Sequence, residues 1–152
     1  MRKVLVLSVF VSFCFSVVYA QNTDSLLLQA KNLIQQDRSV EAVSIYEKIL
    51  LSDQGNYESY TFLGNYYFLS GQKAIAKADA DYQLIQSPNR MQVAHHHDEL
   101  KAIYFTYLEK ADRYLLRALI IKKNDHLEHL VSIIQAYKER IGIVPVTGKK
   151  KQ

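Results

Sequence analysis

Tyr57-Glu-Ser-Tyr60-Thr-Phe-Leu63-Gly64-Asn-Tyr-Tyr67-Phe-Leu-Ser-Gly71-Gln-Lys-Ala-Ile-Ala76-Lys-Ala-Asp-Ala80-Asp-Tyr-Gln-Leu-Ile-Gln-Ser-Pro88-Asn89 is the stretch that decides how this chain folds. Tyr60 and Tyr67 lie seven residues apart and so share one face of a helix. Gly64, without a side chain, allows a second helix to approach that face closely. Gly71 is suited to a chain reversal, Ala76 and Ala80 keep the distance between helices short, and Pro88 ends the second helix. The spacing predicts a helical hairpin with its turn at Gly71.

The pattern Tyr60-x-x-Leu63-Gly64-x-x-Tyr67, with small residues at 71, 76 and 80 and a closing Pro88, resembles the tetratricopeptide repeat. That family repeats a helix–turn–helix unit of 34 residues. The resemblance implies an all-α, TPR-like helical-hairpin solenoid acting as a binding scaffold. Thirty-four residues earlier stands a weaker copy over residues 23–56. Ala42, Tyr46 and Ile49 keep the small–aromatic–apolar spacing, while Leu26, Ala30 and Leu33 replace the preferred aromatic, Gly and Tyr. Asp37-Arg38-Ser39 reads as the turn and helix cap of this copy, because Asp and Ser side chains accept orphan amide protons. Gly55-Asn56 takes the place of the terminating Pro.

Downstream the pattern loosens. Ala111, Leu115 and Ala118 resemble a second helix of the repeat, but one residue out of register, and no Leu-Gly pair precedes them. No Gly or Pro interrupts residues 91–124, and positions 100, 103, 104, 107, 108, 111, 115 and 118 form one apolar stripe. The segment is either a degenerate third hairpin or one long helix. The hairpin is favoured, since a helix above 30 residues is far longer than the usual globular one. A final amphipathic helix comes next. Asn124-Asp125 caps it, Leu127, Leu130, Val131, Ile134 and Tyr137 form its stripe, and Gly142 ends it. The resemblance implies that it covers the last of about three hairpins.

The amino terminus has another character. Arg2 and Lys3 precede an apolar run over residues 4–18, too short for a membrane span, and Val18-Tyr19-Ala20 suits cleavage before Gln21. Residues 1–20 therefore read as a signal peptide, residues 21–141 as the TPR-like domain and 142–152 as a basic tail. The expectation is export to the periplasm or beyond the cell, with no stable membrane span after cleavage. Cleavage removes Cys14, the one cysteine, so disulfides have no part in stability. It also lowers the formal net charge from +4 to +2. Lys149, Lys150 and Lys151 cluster in the tail, so the body is near neutral, which argues against nucleic acid as a partner.

Chemistry-bearing patterns are sparse. His95-His96-His97-Asp98-Glu99 cannot converge on one ion from a helix, because neighbouring side chains point about 100° apart. His126 and His129 share a face, yet two ligands fall short of the three or four that zinc takes. They carry the alternative reading, a metal- or small-ligand-binding helical protein. Asp79 and Asp81 read as surface charge. Gly142 to Lys149 has five residues between its glycines and lacks the following Ser or Thr of a phosphate loop. No catalytic motif is present, so the expectation is a non-enzymatic protein without a cofactor.

Projecting the family pattern places a partner-binding groove on the first helices. Its residues are Leu27, Lys31 and Ile34, then Glu58, Thr61, Asn65, Phe68 and Leu69. Within it Lys31, Glu58, Thr61, Asn65 and Phe68 are the candidates for contact with a protein or peptide. Leu27 and Phe62 stand where the family's chaperone-tail clamp carries polar residues, so that specialised activity is not expected.

Overall fold

The structure is a computed structural model and describes residues 23–143. The signal-peptide reading of residues 1–20 and the lysine cluster of the tail lie outside those residues. The described chain is helical, without strands, and divides into two compact units, one ending at Ser59 and the other beginning at Tyr60.

In the first unit, helix α1 (residues 23–35) is followed by α2 (Ser39–Ser52). The reversal between them is tight. Asp37 has φ 57, and Arg38 N–H reaches back to Leu33 O at 2.9 Å, the bond that closes a left-handed helix cap. Arg38, not Asp37 or Ser39, occupies the N-cap of α2, without a side-chain cap bond. Its guanidinium instead forks onto Glu41, with Nε and Nη2 each 2.6 Å from a carboxylate oxygen. Ala30, Ala42, Val43, Tyr46 and Ile49 are buried. The hairpin expected from the weaker copy therefore forms. Its second helix stops at Ser52, before Gly55-Asn56. Asn56 instead accepts from the backbone N–H and hydroxyl of Ser59 and so caps the start of the next helix.

The stronger copy does not form a hairpin. Helix α3 (Tyr57–Gln83) is continuous for 27 residues, and Gly71 lies inside it. A single Gly does not break a helix; it weakens one by about 1 kcal/mol relative to Ala. What Gly71 provides is proximity. A Cβ there would lie 2.6 Å from Leu108 Cδ2, and one at Gly64 would lie 2.5 Å from Leu115 Cδ2. The two glycines, one heptad apart, seat the leucines of an antiparallel neighbour. The buried stripe of this helix runs through Gly64, Phe68, Gly71, Ile75 and Ala78, whereas Ala76 and Ala80 are exposed and hold no interhelix distance. Pro88 lies five residues beyond the helix end.

Residues 90–121 settle the open alternative in favour of one long helix. Helix α4 (Arg90–Ile103) passes through a π-helical segment (Tyr104–Leu108) into α5 (Glu109–Ile121) without a turn. Asn89 begins α4 with a complete capping box, its side chain accepting from Gln92 N–H while Asn89 N–H donates to the Gln92 side chain. The π segment explains the sequence spacing. Leu100, Tyr104 and Leu108 are buried four residues apart twice in succession, and the pattern then resumes at Ala111, Leu115 and Ala118. One residue is extra, and a π turn absorbs it so that the stripe stays on one face.

Helix α6 (Asp125–Arg140) matches the expected last helix. Asn124 caps its start, and Gly142, at φ 69, ends it, with Ile143 N–H bonded to Lys138 O at 3.0 Å. Leu127, Leu130 and Ile134 are buried, and Gln135 donates to the Asp112 carboxylate across to α5. Burial raises the Asp112 carboxyl above its ordinary range, an effect that the Gln135 bond opposes.

Candidate protein-binding surface

The residues projected onto a groove divide between the two units. In the first, Lys31 Nζ pairs with Glu58 Oε2 at 3.1 Å, and Glu58 Oε1 accepts from the buried Tyr46 hydroxyl at 3.3 Å. Glu58 thus ties α1 to α2. Burial first, and the Glu58 charge and hydrogen bond next, push the Tyr46 phenol up to about 12. A raised phenol pKa means that the folded protein holds this proton more tightly than the unfolded chain. The stabilisation is complete below the unfolded value near 10 and is lost as pH rises from about 10 through about 12. Alkaline unfolding is expected in that window. Tyr46→Phe should flatten the loss, which a denaturant series between pH 9 and 12 would measure.

In the second unit the candidates behave differently from a binding set. Asn65 donates to Thr61 O at 2.8 Å, within its own helix, and the Thr61 hydroxyl is buried. Phe68 is only 3 % exposed, so its ring does not face a partner. Leu69 is exposed. Leu27 and Ile34 are half-buried in α1.

The surface chemistry gathers elsewhere. Tyr67 stacks on Tyr114 with ring centres 5.9 Å apart and planes 11° from parallel, and Tyr60 lies 6.2 Å from Tyr114. Tyr66 meets Tyr67 edge-on, Phe62 stacks on Tyr66, and Lys110 Nζ sits 5.1 Å from the centre of the Tyr67 ring. Beside this cluster, Arg113, Leu116, Arg117 and Ile120 run along the outer face of α5 and border a shallow depression with Tyr60 and Tyr114. Ile120 is 75 % exposed and Leu116 43 %. Positions 113, 116, 117 and 120 have helical spacing and are exposed, but the sequence reading follows the apolar stripe and passes over them. The long-helix outcome was needed to show that this face remains open.

The histidines separate. His95 and His97 are exposed, whereas His96 turns inward, stacks on Tyr82 at 4.2 Å and places Nε2 3.2 Å from Asp79 Oδ1. Arg140 Nη2 approaches the same carboxylate at 3.4 Å. Asp79 is therefore a junction of α3, α4 and α6 and not merely surface charge; its partners are 17 and 61 residues away, beyond any local pattern. Asp81 is exposed, as are His126 and His129. Among the described residues no group of three His, Cys, Asp or Glu side chains is placed to hold a metal ion, and no helix is long and apolar enough to cross a membrane.

These features define an all-helical protein with an open aromatic and arginine-bearing helical face. Comparison with known families and with curated proteins yields no match. Among solved structures, the chain is similar to a Bacteroides ovatus ATCC 8483 protein whose description reads "putative protein binding protein", with 28% identity and a TM-score of 0.75. The likeness covers 78% of this chain and 58% of that one, so the chain spans little more than half the neighbour's length.

Proposed function

We propose that the protein is a non-enzymatic, TPR-like helical scaffold, exported to the periplasm or envelope, that holds a protein or peptide partner. The observation that carries the reading is the Tyr60, Arg113, Tyr114, Leu116, Arg117 and Ile120 surface. Tyrosine and arginine are enriched at interface hot spots, and the exposed Leu116 and Ile120 beside the arginines favour a protein over a phosphate backbone. The protein-binding description of the Bacteroides ovatus neighbour supports the same role. The hairpin of α1 and α2 supports the repeat character, with longer continuous helices taking over from the later hairpins. Export rests on the Arg2-Lys3 start, the apolar run and the Ala20 boundary.

The test is capture of partners from an envelope extract by the protein and by an Arg117→Glu, Ile120→Asp double variant. Both side chains are on the exposed side of α5, so helical content should stay unchanged. Loss of a hot spot typically costs about 2 kcal/mol or more, so recovery of specific partners should fall more than tenfold. If the double variant retains the same partners in the same amounts, this surface is not the binding site.

A further inference from the structure

A second concave site lies in the unit that begins at Tyr60, where the end of α3 meets the start of α4. It is an open cleft of about 510 Å³, within the roughly 300–1,000 Å³ range of ligand sites. Its wall is apolar and aromatic: Tyr82, Ile85 and Met91, with Tyr82 held flat by the parallel His96 ring. Its charged groups are the carboxylates of Asp81 and Glu99, and neither Lys nor Arg lines it. Its neutral polar lining is Asn89, Gln92 and His95.

An apolar wall whose charged groups are both carboxylates favours a particular chemistry. A Lys or Arg side chain has a hydrocarbon stem that lies along apolar surface and a cationic, donor-only head that seeks carboxylates. Tyr82 adds a ring face on which a cation is attracted. A neutral apolar side chain would leave the carboxylates unused, and an acidic one would be repelled by them.

We propose that this cleft binds a lysine- or arginine-bearing segment of a partner protein, with the basic stem against Tyr82, Ile85 and Met91 and its head between Asp81 and Glu99. The proposal rests on the protein-binding reading but on a different surface from the tyrosine–arginine face, so either can fail alone.

The probe is a fluorescein-labelled, end-blocked Gly-Lys-Leu-Lys-Gly peptide, titrated against the full chain by fluorescence anisotropy. Its control is the same peptide with both lysines replaced by norleucine, which keeps the stem and removes the charge. The lysine peptide is expected to bind at least about tenfold more tightly than the norleucine one, with affinity falling as salt rises. Asp81→Asn with Glu99→Gln should weaken it about tenfold and flatten the salt dependence. Both side chains are exposed, so the fold should persist, and circular dichroism would verify this. The Arg117→Glu, Ile120→Asp variant should bind the peptide as the parent does. Equal binding of the norleucine peptide, or unchanged affinity in the carboxamide variant, overturns the proposal. So does a tenfold gain in affinity on deleting residues 144–152, since that result assigns the cleft to the chain's own lysines.

Discussion

Phe68→Ala is expected to destabilise the protein by about 3–5 kcal/mol, the usual cost of removing a buried phenyl ring. The ring is 3 % exposed, and truncation leaves a void among side chains that cannot all close upon it. For a unit of this size each kcal/mol lowers the melting temperature by roughly 4–8 °C, so the thermal transition should fall by more than about 10 °C. Leu69→Ala, one residue on and 61 % exposed, serves as the control and should change stability by less than about 0.5 kcal/mol. This outcome reverses the role that the repeat pattern gives Phe68. A variant that melts like the parent while losing a partner would restore the groove role and show that the ring is not core.

Gly64→Leu carries the other large effect. Its first side-chain carbon alone would fall 2.5 Å from Leu115 Cδ2, 2.7 Å from Cγ and 3.3 Å from the Leu115 backbone nitrogen. Three further carbons would have to enter the same crossing. The expected loss is about 3 kcal/mol, the upper end of the overpacking range, because backbone as well as side chain obstructs the new group. Gly71→Ala provides the contrast. Its Cβ would meet Leu108 Cδ2 at 2.6 Å, Leu108 Cγ at 3.0 Å and Tyr107 Cβ at 3.2 Å, so the buried leucine must shift to admit it. Because Gly71 is helical, Ala there gains roughly 1 kcal/mol of helix propensity, which offsets part of that cost, so the net loss should be well below that of Gly64→Leu. Adding Leu115→Ala to Gly64→Leu should recover part of the loss, since the two residues occupy the same space. Denaturant melts of the three variants would measure the series. Gly64→Leu with wild-type stability would remove the close crossing from the structure.

The sequence reading assigns Gly64 to a close approach and Gly71 to a turn, and only the first role holds. The tetratricopeptide pattern has a turn there, and a local pattern does not distinguish a glycine that reverses the chain from one that admits a neighbour. The same ambiguity governed residues 90–121. The uninterrupted apolar stripe and the absence of Gly or Pro pointed to one long helix, while typical helix length pointed to a hairpin. The stripe was the better guide, because packing against α3 rewards a continuous helix and the π segment corrects its phase.

The candidate site was less legible than the fold. Groove positions were assigned by projecting a hairpin geometry onto α3; once α3 is continuous, Phe68 falls on its buried side and Asn65 bonds within the helix. The aromatic and arginine face of α5 carries a helical period that the sequence displays, but exposure depends on what packs opposite. The Asp79–His96–Arg140 junction had no local sign at all, because it joins residues distant along the chain.

The sequence by itself determined the helical class, the α1–α2 reversal, the cap at Asn124 and the stop at Gly142. These are set by short-range forces: periodic apolar spacing, side-chain caps on orphan amides and a glycine that accepts positive φ. Only the tertiary structure decided whether helices continue through Gly71 and residues 104–108, and which faces stay open. The physical reason is that burial against a neighbour far along the chain outweighs the weak local preference to turn, and a sequence window contains no record of that neighbour.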